Sequence, residues 1–131
     1  MSVSEEAKNI GKAFLELKKY GAILKNYNSR RSFTSGQSAW VDHVIIYNDV
    51  MYLIEVKVGK DTLSPDQLEL AEKLLEFNTE VNYFIISTLE EARELVEILL
   101  DKQTTEHELW RFRDRTEKVV ELTKNAKRGK L

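Results

Sequence analysis

Asp42, Glu55 and Lys57 are the residues of this chain whose types and spacing could do chemistry together. The segments Val41–Tyr47 and Val50–Val58 are rich in β-branched and aromatic residues and are split by Asn48-Asp49, a good turn pair. A two-residue hairpin loop at that point fixes the register, so residues equidistant from the turn face each other. Asp42 then faces Glu55, with Cβ atoms about 4.5–5.5 Å apart, and two like charges at that distance repel. A strand pair tolerates this only when something cationic sits between them. Lys57 leaves the same face as Glu55, because side chains alternate along a strand. Oxygen donors of this kind suit Mg²⁺ or Mn²⁺, which retain waters and accept a phosphate oxygen. An ion on Asp42, Glu55 and the carbonyl of Val56 could polarise a phosphodiester, and Lys57 could orient a water or steady the charge developing on phosphorus. The plainer reading, an exposed Glu55–Lys57 pair with Asp42 starting a strand, leaves the facing carboxylates unexplained.

The elements that must position these groups can be read around them. Ala7, Ile10, Phe14 and Leu17 recur at helical steps, so Ser4 to Tyr20 is expected to be a helix ended by Gly21. Ala22 to Tyr27 reads as a strand, and residues 28–38 as a polar loop containing Arg30 and Arg31. On the hairpin, Val44 is expected to face Leu53, while Val41 meets Val56 and Ile45 meets Tyr52 on the other face. Both faces are apolar near the turn, as in a sheet covered on two sides. Ser64-Pro65-Asp66-Gln67 carries an N-cap, a proline at the first helical position and a capping-box partner, so a second helix starts there. Val81 to Ile86 reads as a strand, and Ser87 with Glu90 as the cap of a third helix ending near Leu100. Leu109, Arg111 and Arg113 alternate with Trp110 and Phe112, which predicts an edge strand over Glu108–Arg113, followed by a helix from Arg115 to Lys127. The fold class is α/β with a mixed sheet, in one domain spanning residues 1–131: a core over about 4–100 and a basic C-terminal extension over about 101–131.

Composition narrows the functions open to the chain. With 131 residues, 42% of them hydrophobic, it can build one core. No apolar run is long enough to span a membrane, and the polar, acidic N-terminus does not resemble a signal or transit peptide. The absence of cysteine excludes disulfides, thiolate metal sites and cysteine nucleophiles. The expectation is a cytoplasmic protein, or one of a host cytoplasm if the source is viral. Net charge is −2, yet from Arg111 onward eight basic residues stand against three acidic ones. Arg30, Arg31, Arg111 and Arg113 are therefore candidate DNA contacts, with the basic tail beside them.

Asp42, then Glu55-Val56-Lys57, then Leu63-Ser64-Pro65-x-Gln67 together resemble the PD-(D/E)XK nuclease superfamily. Within it the chain looks most like the VRR-NUC branch, whose small stand-alone members occur in phages, with archaeal Holliday junction resolvases as related proteins. The resemblance covers about Glu5 to Leu100 and implies a restriction-endonuclease-like αβββαβ core. It implies Asp42 and Glu55 as metal ligands, Lys57 as the catalytic lysine and Gln67 as the glutamine that completes the site. It also implies a carboxylate from the first helix, placed at Glu6, with Glu5 and Glu16 as alternatives. Val41 stands where the family usually has proline.

The expected activity is divalent-metal-dependent hydrolysis of DNA by an endonuclease, selective for branched structures such as Holliday junctions, with a homodimer supplying two sites. Leu99, Leu100, Trp110 and Phe112 are the apolar residues assigned to the dimer contact. The alternative is a non-catalytic DNA-binding or assembly module that keeps the fold. A binding module has no use for two facing carboxylates near phosphate, so the enzyme is favoured.

Overall fold

The apolar stripe near the N-terminus forms helix α1 (Val3–Leu15), with Ile10 and Phe14 buried. The computed structural model describes residues 3–27, 39–59, 62–77, 81–101 and 106–128. After Leu15 the chain tightens into a 3-10 turn (Glu16–Tyr20) that keeps Leu17 in the core. Gly21, at φ 95°, ends it as expected.

Four strands follow in sheet order β1 (Ile23–Asn26), β2 (His43–Tyr47), β3 (Val50–Val56) and β4 (Asn82–Ile86). The first three run antiparallel, and β4 lies parallel to β3 after a crossover through α2 (Pro65–Glu76). The hairpin turns at Asn48 and Asp49, whose φ angles of 53° and 67° are those of a type I′ turn. The register follows, with Val44 opposite Leu53 and Ile45 opposite Tyr52.

Helices cover both faces of the sheet. On one, Ile45, Tyr52, Ile54, Phe84 and Ile86 pack with α1 and with α3 (Leu89–Leu100). On the other, Leu53, Tyr83 and Ile85 pack with Leu68, Ala71 and Leu74 of α2. Thr88, one residue later than expected, caps α3, while Glu91 reaches back to the N–H of Ser87 at 2.7 Å.

The C-terminal part differs from the sequence expectation. Glu108–Arg113 is no edge strand: it lies inside one helix, α4 (Glu106–Arg128). Six alternating residues fit a strand, but Leu109, Phe112, Thr116, Val120 and Thr123 recur at helical steps, and that longer stripe wins. Phe112 is therefore in the core, its ring 5.7 Å from that of Phe84, and is not exposed for dimer contact. Leu99 and Leu100 are partly buried against the same core, whereas Trp110 remains 56% exposed. The open edge of β4 is closed by α4. The Thr116 hydroxyl accepts from the N–H of Ile85 at 2.9 Å and donates to the carbonyl of Phe112 at 2.7 Å. An unpaired strand edge invites pairing with other chains, and a helix laid along it removes that hazard.

Thr116→Val keeps the shape but leaves the buried N–H of Ile85 without its acceptor. The expected loss is about 1–3 kcal/mol in urea unfolding; an unchanged midpoint would show that this bond does not close the edge.

Candidate active site

The β2–β3 ladder ends one pair before the site. His43 is paired with Ile54, yet the N–H of Asp42 also donates to the carbonyl of Ile54, at 3.0 Å. Two residues thus stand against one, the pattern of a β-bulge, which re-aims a side chain where a ladder stops. Asp42 is turned so that its Oδ2 accepts from the N–H of Val56 at 2.8 Å. Asp42 and Glu55 are therefore not a regular cross-strand pair, although the two carboxyl groups stay close enough for the charge of one to act on the other. Val41 is displaced by the same irregularity. It is buried in the α2-side cluster, while Val56 packs on the α1 and α3 side, so the expected Val41–Val56 pair does not form.

Glu55 is 2% exposed, a carboxylate set in the sheet beneath α2. Its pKa is raised to about 9, first by burial and then by the charge of Asp42, with Lys57 opposing. Gln67 links the group: its Nε2 donates to Glu55 Oε1 at 3.3 Å, and its Oε1 accepts from Lys57 Nζ at 2.8 Å. The same Oε1 accepts from the N–H of Ser64 at 3.0 Å, and Ser64 Oγ accepts from the N–H of Gln67 at 3.3 Å. One residue thus caps α2 and joins the lysine to the glutamate. The N–H of Leu63, just before this cap, donates to Thr123 of α4 at 2.8 Å, so α4 also fixes where α2 begins.

Sequence reasoning missed Tyr83. It is 2% exposed, and burial followed by the charges of Glu55 and Asp42 raises its phenol well above its ordinary pKa. The available signal was alternation in β4, which places Tyr83 on the same face as Ile85, the ladder partner of Glu55. The remaining candidates lie elsewhere. Glu6 Oε2 accepts from the N–H of Leu89 at 3.1 Å and so serves the start of α3. Glu5 and Glu16 are exposed. Arg111 pairs with Glu94 at 2.9 Å, and Arg113 pairs with Glu117 at 3.0 Å and donates to the carbonyl of Leu75. Both tie α4 to its surroundings. Arg30 and Arg31 lie outside the described residues.

The donors suit a hard divalent ion. Glu55 Oε2 is buried and makes no hydrogen bond, beside a second carboxylate. The N–H and carbonyl of a strand residue point to the same flank, so the carbonyl of Val56 is directed to the side where its N–H meets Asp42. Among the described residues no group of three or more His, Cys, Asp or Glu side chains gathers. Two carboxylates and one carbonyl would therefore leave the rest of the shell to water or phosphate oxygen, the habit of Mg²⁺.

The profile of the nuclease-related domain family matches residues 4–110. The chain belongs to the nuclease-related domain family. Among solved structures, this nuclease-related domain is similar to a chain described as a VRR_NUC domain, with a TM-score of 0.54 and 20% identity over 70% of this chain and 94% of that one. That likeness shows a shared fold, and together with the family match it supports a nuclease fold of the PD-(D/E)XK type. No curated protein matches. Among the described residues no helix is long and apolar enough to cross a membrane.

A raised carboxyl pKa has a definite sign in stability. Between about pH 4.5 and 9 the folded chain holds a proton on Glu55 that the unfolded chain releases, so stability of the metal-free protein falls as pH rises through that window. Glu55→Gln should remove this slope and raise stability at pH 8 in EDTA by on the order of a few kcal/mol. Thermal melts at pH 5 and pH 8 check it; a wild-type slope that survives the substitution would contradict the assignment.

Proposed function

We propose that this chain is a divalent-metal-dependent DNA endonuclease whose centre is Asp42, Glu55, Lys57 and Gln67. The observation that carries the reading is the Gln67 bridge, which holds Lys57 Nζ and Glu55 Oε1 on one side chain beside Asp42. Mg²⁺ or Mn²⁺, held by Asp42, Glu55 and the Val56 carbonyl, would supply polarisation of the phosphodiester and acidification of a water. The chain's own residues do the rest. The bond from Val56 fixes the Asp42 carboxylate, so it need not reorganise during the reaction. Lys57, held by Gln67, stands two residues beyond Glu55 with its ammonium ready to orient the attacking water or to stabilise the charge growing on the phosphoryl oxygens. Tyr83 is buried close enough to feel the charges of Glu55 and Asp42 and adds to the low-dielectric surroundings of the pair.

Asp42→Ala and Glu55→Ala should each abolish cleavage of linear, single-stranded and four-way-junction DNA, and EDTA should do the same to the wild type. Lys57→Ala should lower the rate about 10²–10³-fold, the usual cost of removing one such charge-stabilising group, with little loss of metal affinity. Gln67→Ala should lower the rate as well and cost about 1 kcal/mol through the lost cap. Full activity in Asp42→Ala, or cleavage indifferent to EDTA, would overturn the reading.

The same reading extends to branched DNA and a two-fold dimer. One site cuts one strand per event, and paired incisions across a junction need two sites related by symmetry. Trp110 is the residue of the expected apolar contact that stays at the surface. Light scattering at micromolar concentration should give twice the chain mass; a monomer that cuts both strands of a junction in concert would contradict it.

A further inference from the structure

Between α1 and the β1 edge of the sheet lies a cleft of 620 Å³ lined by Asp42 and Val56 and by Lys8, Lys12, Lys18 and Lys25. The only acidic side chain lining it, among the described residues, is Asp42 itself. All four lysines are exposed. Five basic residues of α2 and α4 are arranged differently: Lys73, Lys124, Arg111, Arg113 and Arg115 each stand within ion-pair distance of a carboxylate. None of the cleft lysines does so among the described residues. Four like charges brought to one groove repel unless a polyanion lies among them. Tyr27, which lines the cleft, meets Trp40 ring to edge at 6.3 Å, and both rings are about two-fifths exposed, at 41% and 43%. Exposed aromatics beside unpaired cations are the two parts of a single-strand binding track, with stacking for bases and charge for phosphates.

We infer that this cleft holds a single-stranded DNA segment and leads it to Asp42. Its volume is within the about 300–1,000 Å³ of sites that take a drug-sized molecule, which has room for a short stretch of one strand. The inference rests on the nuclease reading for its direction, toward the Asp42–Glu55 pair, but its binding surface is separate from the reacting groups. It moves the main DNA contact from the basic tail to the α1–β1 side of the molecule.

The test is fluorescence anisotropy of the full chain in EDTA with an end-labelled single-stranded oligonucleotide and with its duplex. Lys8→Gln, Lys12→Gln and Lys25→Gln together should weaken single-strand binding at least tenfold and flatten the salt dependence by about 0.7 in log–log slope for each phosphate no longer neutralised. Tyr27→Ala should weaken it several-fold. A charge-matched triple on α2 and α4, Lys73→Gln, Lys118→Gln and Lys124→Gln, should bind nearly as the wild type does. Thermal melts confirm that each variant is folded. Equal weakening by both triples, no single-strand binding by the wild type, or tighter binding of duplex would overturn the cleft. Cleavage with Mg²⁺ and Mn²⁺, measured in parallel, separates the two readings. A lysine triple that binds and cuts like the wild type refutes the cleft and spares the nuclease. A wild type that binds through the cleft and never cuts refutes the nuclease and spares the cleft.

Discussion

A carboxyl group buried in a sheet covered on both faces, with a second carboxyl against it, is the constraint on which this molecule is built. Burial and the nearby charge both disfavour ionisation of Glu55. Such a pair survives in a folded chain only when its neighbours hold it in place and something offsets the desolvation. The neighbours are all present. A bulge frees Asp42 from the ladder and gives its carboxylate the N–H of Val56. The first turn of α2 supplies Gln67 from above, and Lys57 brings a positive charge through it. Among the described residues Glu55 Oε2 is left without a hydrogen bond, and under the proposed function a divalent ion would be its partner.

The long C-terminal helix connects this local arrangement to the global fold. Thr116 and Thr123 lie two turns apart on one side of α4. The first bonds Ile85, the ladder partner of Glu55, and the second bonds Leu63, the residue before the α2 cap. Sheet and cap are thus clamped by one rigid element from behind. A fifth strand in that place could have paired with β4 but could not also have reached the start of α2. Catalytic groups need positions held within fractions of an ångström, and supports of this kind provide that.

Much of the site was legible because a tight turn propagates its register. Asn48 and Asp49 dictate a two-residue loop, and the loop brings Asp42, Glu55 and Lys57 to one end of the hairpin. Gln67 was legible through its capping box, since local hydrogen bonding at a helix start is written in sequence. The bulge at Asp42 was not, because nothing in Val41-Asp42-His43 distinguishes an extra residue from a regular strand until the Asp42–Val56 bond is seen. The helix over Glu108–Arg113 was obscured by two buried threonines, which break the apolar stripe that would otherwise have announced it. The lysines of α1 have the spacing of an ordinary solvated face, and only the placement of β1 across from them turns that face into a cleft wall.

If the Asp42–Glu55 pair is made for a divalent ion, calorimetric titration of the metal-free full chain with Mn²⁺ tests it most directly. The predicted result is saturable binding that Asp42→Asn and Glu55→Gln each abolish while both variants remain folded. Binding that is absent from the wild type, or that persists unchanged in both variants, would contradict it.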